Sequence, residues 1–303
     1  MTSLNTRRRR RAVLAVLLLV HLAGCSAESE PRSAPVSTTA APASTDAAPA
    51  ATTVAPGATT GTVGEYLPGL EARFYPSTDA GRAALLVMVP GGGWQTADPS
   101  GLDGLARELA DSGIFTATVE VRAGEDEVLY PVPVEDVLCA VAFVVTTARF
   151  DGIEPGPVIV LGHSTGAHLA ALAVLATADY SPACSDPVVV PDALIGMAGT
   201  YDVGIVPGIA RRLFGVSPEA DPALWESGNP VLRAGLRPEV PVLLIHGDAD
   251  DLVPVSFTTE FAAALERGGH VVTVEIVTGA DHHEIYSAGA SGALIADWTK
   301  ELG

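Results

Sequence analysis

Residues Gly162-His163-Ser164-Thr165-Gly166 have the form Gly-x-Ser-x-Gly, follow the apolar run Pro157–Leu161 and precede the Ala/Leu-rich stretch Ala167–Ala178. A strand, a sharp turn and a helix with serine at the turn make a nucleophile elbow. Strained backbone there would hold the Ser164 hydroxyl clear of the sheet, and Gly162 and Gly166 supply the small flanks that a close strand–helix approach needs. The N-terminus of the following helix favours the negative charge that develops during acyl transfer.

A serine hydroxyl becomes a nucleophile only with a base, a group that orients the base, and donors for the oxyanion. The donors have a source in Pro90-Gly91-Gly92-Gly93-Trp94, where bare backbone after an apolar run lets N–H groups approach a substrate oxygen. The Thr165 N–H, next to the nucleophile, is a second source. Three aspartates compete for the orienting acid in His246-Gly247-Asp248-Ala249-Asp250-Asp251, just past the apolar run Val242–Ile245. Two adjacent histidines, His282 and His283, compete for the base after the run Val271–Val277. Their side chains would point apart in an extended loop, so one of them faces the serine. The chain order is therefore Ser, Asp, His. His163, His168 and Asp281-His282-His283 fit no His-Glu-x-x-His or spaced cysteine/histidine pattern, so no metal site is assigned. His246 and His168 read as structural histidines.

The elements that must position these groups follow from hydrophobic patterning. Short Val/Ile/Leu-rich runs at Ala84–Val89, Phe115–Val121, Val158–Leu161, Ala193–Met197, Val242–Ile245 and Val271–Val277 read as strands buried on both faces. Between them lie predicted helices at Leu102–Asp111, Val134–Arg149, Ala167–Ala178, Ser256–Arg267 and Ala293–Leu302. This alternation predicts an α/β fold with one doubly wound, mostly parallel sheet and helices on both faces. Ligands then bind beyond the carboxyl ends of the strands. Residues 200–236 exceed a simple strand–helix link and are expected to form a short helical insertion, a lid, over the site.

With these residues in place the chain resembles the α/β-hydrolase superfamily, closest to hormone-sensitive-lipase-like and feruloyl/acetylxylan-esterase-like carboxylesterases. Their His-Gly-Gly-Gly-Trp is matched by Pro90-Gly91-Gly92-Gly93-Trp94, and their Gly-His-Ser-Ala-Gly-Gly-His-Leu-Ala by Gly162 through Ala170. Val121-Arg122, then Pro131, Asp136, Ala140 and Val141, echo two further family patterns. The resemblance spans residues 65–300. It implies Ser164 as nucleophile, Asp250 as acid by its place in His-Gly-x-x-Asp-x-x-Val-Pro, and His282 rather than His283 as base. Asp248 and Asp251 are left as loop and helix-cap residues. It implies Gly92 and Gly93 as oxyanion donors beside Thr165, with Pro90 standing where the family has histidine. The implied activity is hydrolysis of carboxylic esters through an acyl-enzyme, with no cofactor. Amide hydrolysis or acyl transfer on the same site, and an inactive cell-envelope binding module, are the alternatives.

The ends and the charge place the domain. Arg7–Arg11 precede an unbroken apolar run from Ala12 to Val20, an n-region and h-region too short to span a bilayer. Leu22-Ala23-Gly24-Cys25 then resembles a bacterial lipobox. The expectation is a lipoprotein signal peptide over 1–24 and a lipidated Cys25. An Ala/Pro/Thr/Ser stalk over 25–62 cannot bury enough apolar surface to order. A hydrolase domain over 63–303 would follow, anchored on the extracytoplasmic face of a bacterial membrane. Net charge is −19; removing the five leader arginines leaves 12 basic against 36 acidic residues, or −24. Such a surface argues against nucleic acid as partner. It suits an exported protein whose substrate is a small-molecule or cell-envelope acyl ester. Cys139 and Cys184 remain. In an α/β-hydrolase their segments lie on one face of the sheet, so they form a disulfide or stay two separate buried thiols.

Overall fold

The computed structural model describes residues 61–77 and 81–303. The expected signal peptide, Cys25 and all but the last two residues of the stalk lie outside the described residues. Eight strands form one sheet, β1 (Thr62–Leu67), β2 (Leu70–Tyr75), β3 (Arg82–Val89), β4 (Phe115–Val119), β5 (Glu154–His163), β6 (Ala193–Met197), β7 (Val242–Gly247) and β8 (Val272–Val277), in the order β1-β2-β4-β3-β5-β6-β7-β8. From β4 to β8 every neighbouring pair is parallel, whereas β1 and β2 are antiparallel to each other and β2 is antiparallel to β4.

Eight α-helices accompany the sheet: α1 (Asp103–Asp111), α2 (Val132–Phe150), α3 (Thr165–Leu175), α4 (Pro207–Phe214), α5 (Pro222–Ser227), α6 (Pro230–Arg233), α7 (Ser256–Gly268) and α8 (Ala293–Glu301). Strand side chains alternate between two cores. Leu85, Val87 and Val89 pack with residues of α2, α3 and α7. Leu86 and Met88 pack with residues of α1 and α8 on the opposite face. Burial on both faces is why β3, β5, β6 and β7 read as continuous apolar runs.

The β1–β2 hairpin carries no such run. Its exposed and buried positions are mixed, and its turn is Pro68-Gly69, with Gly69 at φ +79°. β4 stops at Val119, two residues short of expectation, because the chain turns to bring Arg122 onto buried Asp136. Arg122 donates through its backbone N–H and Nε, each 3.0 Å from Oδ2, and through Nη2, 2.6 Å from Oδ1. This pins the end of β4 to α2. Residues 200–236 fold as α4, α5 and α6 after a 3-10 turn at Val203–Ile205. Phe214 and Trp225 stack at 4.4 Å between ring centroids and are buried, so they form the insertion's own core.

Cys139 on α2 and Cys184, in the loop after α3, are joined by a disulfide with an S–S distance of 2.06 Å across 45 residues.

Candidate active site

β5 delivers the central residue. Ser164 sits at φ 54°, ψ −122°, between β5 and α3, a region that L-residues rarely occupy and that costs of order 1–3 kcal/mol. Its N–H donates to the Met197 carbonyl at 2.8 Å, fixing the turn to β6. The glycine flanks are steric requirements. A Cβ on Gly162 would strike the backbone of Gly166 and Ala167, and one on Gly166 would strike the carbonyls of Val89 and Pro90. α3 starts at Thr165, immediately after the serine, so its free N-terminal N–H groups point into the site.

The glycine loop crosses in front of this turn. A Cβ on Gly91 would come within 2.9 Å of the Ser164 Cβ, so bare backbone is what allows the approach. Gly92, Gly93 and Trp94 take φ of +146°, +64° and +55°. The loop is held without the family's histidine. The Gly92 carbonyl accepts the N–H of Gln95 (3.1 Å) and Thr96 (3.2 Å), and the Trp94 and Gln95 carbonyls each accept an N–H, from Gly124 and Glu125, at 3.0 Å. The Trp94 N–H reaches Thr165 Oγ1 at 3.4 Å.

The loops after β7 and β8 touch, which brings Asp250 and His282 together. Gly247 abuts the Ala280 backbone so closely that any Cβ would clash. Ala249 donates to the Ala280 carbonyl at 3.1 Å, and Gly279 donates to Asp248 Oδ1 at 2.6 Å. Asp248 is thus a loop brace. Asp251 is exposed and caps nothing on α7, whose N-cap is Val255 with no side-chain bond; the cap expected for it is absent. Asp250 has its carboxylate fully buried and lies 2.7 Å from His282 Nδ1. Its Oδ1 accepts the N–H groups of Leu252 (2.9 Å) and Val253 (2.8 Å). Burial works to raise its pKa, but the Val253 N–H and the His282 contact outweigh it and hold the carboxyl below its usual range.

His282 is buried and lines the same open cleft as Ser164, with a volume of about 640 Å³. Gly92, Gly93 and Thr165 line it too, as do Val206 and Ile209 of the insertion. His283 also reaches the cleft, but it is exposed and its Nδ1 meets the Tyr286 hydroxyl at 3.3 Å. Of the two histidines, His282 is therefore the one that meets the acid. Among the described residues, no group of three or more His, Cys, Asp or Glu is placed to hold a metal ion.

Two histidines that sequence reasoning set aside are tied into this arrangement. His163 donates from Nε2 to the His282 carbonyl at 2.9 Å. His168 donates from Nε2 to the Gly228 carbonyl at 2.8 Å, tying α3 to the insertion. Burial pushes His163 down to about 3, helped by repulsion from His282, and pushes His168 down to about 4. Both stay neutral in the fold at pH values where the unfolded chain, with histidines near 6.5, takes up protons. Their stabilisation is fully present above about pH 6.5 and is lost as pH falls toward the folded values. The thermal midpoint is therefore expected to be level above about pH 7 and to decline between about 6.5 and 4. His168→Gln, which keeps a donor for Gly228, should make that decline shallower. A midpoint independent of pH across this window, in either protein, would contradict the assignment.

The sheet order, the elbow and the loop placement define the class: this is an α/β-hydrolase fold. The family model BD-FAE matches residues 73–265, more than half of the chain, and the protein belongs to that family. The match includes Ser164 and Asp250, while His282 lies beyond it. Esterase LipQ of Mycobacterium tuberculosis is 26% identical over 229 residues, 71% of this chain and 54% of its own. A probable isoprenylcysteine alpha-carbonyl methylesterase of Oryza sativa is 26% identical over 216 residues, 67% of this chain and 52% of its own. The chain thus spans about half the length of the curated relatives it matches. Among solved structures, the propionate-bound esterase Est2 of Thermogutta terrifontis superposes with a TM-score of 0.67 at 22% identity, covering 81% of this chain and 95% of that one. An acetyl ester-xyloside bifunctional hydrolase of Caldicellulosiruptor lactoaceticus gives 0.64 at 20% identity, covering 77% and 88%.

Proposed function

We propose that this protein is a serine esterase that hydrolyses carboxylic esters through an acyl-enzyme. The observation that carries the reading is Ser164, held at positive φ on the elbow in one cleft with His282, whose Nδ1 lies 2.7 Å from the buried Asp250 carboxylate. The esterases among its relatives support the same chemistry.

In this reading Ser164 Oγ attacks the ester carbonyl while its proton passes to His282 Nε2. Asp250, bonded at Nδ1, fixes the tautomer and stabilises the imidazolium. The oxyanion is held by backbone N–H groups of Gly92, Gly93 and Thr165. His282 then gives its proton to the departing alkoxide. A water loses a proton to the same nitrogen and attacks the acyl carbon; as the bond to Ser164 Oγ breaks, His282 returns that proton to Oγ and the acid leaves. The chain's own residues suffice for each step.

The insertion at 200–236 is taken as a short lid that gives the cleft an aliphatic border through Val206 and Ile209. We further propose that the enzyme works outside the cytoplasm, tethered by lipid on Cys25 through the 25–62 stalk; the lipobox-like Leu22-Ala23-Gly24-Cys25 supports this. Retention in the membrane fraction, lost in Cys25→Ser, checks that part; equal partitioning of the two would refute it. The activity itself is tested with p-nitrophenyl esters of increasing acyl length, the matching anilides and alcohol acceptors. Ester hydrolysis well above anilide cleavage or transfer is expected, and the reverse ranking would redirect the assignment.

A further inference from the structure

We propose that His246 is a positioning residue of the active site: its Nε2–H, donated to the Val253 carbonyl, also lies against the Asp250 oxygen that meets His282 and so sets how firmly the acid grips the base. The proposal rests on the Ser164–His282–Asp250 reading and goes one step behind it. His246 ends β7 and is completely buried. Its Nε2 lies 2.9 Å from the Val253 carbonyl and 3.2 Å from Asp250 Oδ2, while its Nδ1 lies 2.7 Å from Thr258 Oγ1.

These partners fix the tautomer. A carbonyl and a carboxylate only accept, so Nε2 carries the proton; Nδ1 is then an acceptor and the Thr258 hydroxyl donates to it. Burial pushes the His246 pKa down, which keeps the ring neutral and this hydrogen-bond direction unchanged. Asp250 accepts three hydrogen bonds, from Leu252 and Val253 at Oδ1 and from His282 at Oδ2, and the His246 ring stands against Oδ2 as a further polar contact at 3.2 Å. A carboxylate enclosed in this way is restrained from turning away from His282.

The shared oxygen has a chemical consequence. The His246 dipole draws off part of the charge that Asp250 would otherwise direct at His282. Removing that donor leaves more charge on the Asp250–His282 bond and makes the base more basic, while the carboxylate loses one of its stops. The other titratable groups facing this pair are His163 from the elbow and Asp281 and His283 from the base loop.

The test uses His246→Asn and His246→Gln in the full chain. Asn can keep the Thr258 contact but does not reach Asp250; the Gln amide nitrogen falls where Nε2 stood and can still donate. His246→Asn is expected to lower kcat for p-nitrophenyl ester hydrolysis about tenfold, the size of one hydrogen bond to a charged group, with KM little changed. The acid limb of its kcat/KM profile should move to higher pH, and His246→Gln should restore both. Thr258→Val, which removes the Nδ1 partner that holds the ring in place, should move the limb in the same direction and covers the case in which His246→Asn does not fold. A folded His246→Asn with the kcat and acid limb of the wild type would overturn the proposal. So would equal losses in the Asn and Gln variants, which would mean that packing alone matters. An inactive folded wild type would remove the triad reading and this role with it, whereas an active wild type with an indifferent His246→Asn removes this role alone.

Discussion

Ser164→Ala is expected to lower kcat for p-nitrophenyl ester hydrolysis by roughly 10⁶-fold, the loss seen when the nucleophile of a serine triad is removed. The size follows from how the parts depend on one another. His282 and Asp250 have no proton to move without the serine hydroxyl, so their contribution disappears with it. What remains is cleft binding and the oxyanion donors Gly92, Gly93 and Thr165, which by themselves give a residual rate about 10³–10⁴ above water. The fold should survive. Alanine removes one oxygen, keeps the Ser164 N–H bond to Met197 as a backbone contact, and leaves the tight glycine packing at 162 and 166 untouched. Circular dichroism and thermal unfolding matching the wild type, with hydrolysis at background, is the expected pair of results. Retained hydrolysis in the folded variant would contradict the role given to Ser164.

Joint replacement of Cys139 and Cys184 by alanine is expected to lower stability by about 4 kcal/mol, because the bond closes a loop of 45 residues in the unfolded chain. For a domain of this size that is a fall in thermal midpoint of about 10 °C. The bridge ties the middle of α2 to the segment leaving α3, the helix that starts immediately after Ser164. Both sulfurs are removed together so that neither partner is left as a free thiol. The wild type under a strong reductant should move toward the double variant. Thermal midpoints within about 2 °C of each other, oxidised against double variant, would show that the loop is closed by packing alone.

Legibility of the fold in the sequence depended on how each element earns its burial. β3, β5, β6 and β7 are covered on both sides and so appear as apolar runs. The β1–β2 hairpin was not legible as strands, because Thr62–Leu67 is an edge strand and both it and Leu70–Tyr75, which joins it to β4, mix exposed and buried positions. The end of β4 was misplaced for a different reason: Val121 is apolar and buried, but the ion pair of Arg122 with Asp136 redirects the chain. The π-helical turn at Ala288–Gly292 that leads into α8 left no local signal at all.

At the site, residue type and chain order pointed to Ser164, to Asp248, Asp250 and Asp251, to the pair His282 and His283 and to the glycine loop, since these chemistries demand particular residues at particular element ends; the choice of Asp250 and His282 came from the resemblance to the family. The supporting contacts were invisible for a physical reason. His163 bonds to a backbone carbonyl 119 residues away and His168 to one 60 residues away, and such separations leave no periodicity to read. His246 looked like any loop histidine, and only the gathering of Val253, Asp250 and Thr258 around its ring gives it a direction. Phe214 and Trp225, the large aromatics of the insertion, stack inside it and do not line the cleft.

The most direct measurement is covalent labelling by a fluorophosphonate probe, with the modified peptide identified by mass spectrometry. The probe reacts only with a serine whose hydroxyl is activated, so it reports the chemistry without requiring knowledge of the substrate. Stoichiometric modification of Ser164 is expected in the wild type, greatly slowed labelling in His282→Ala and none in Ser164→Ala. A folded wild type that does not label, or that labels at another residue, would contradict Ser164 as the nucleophile.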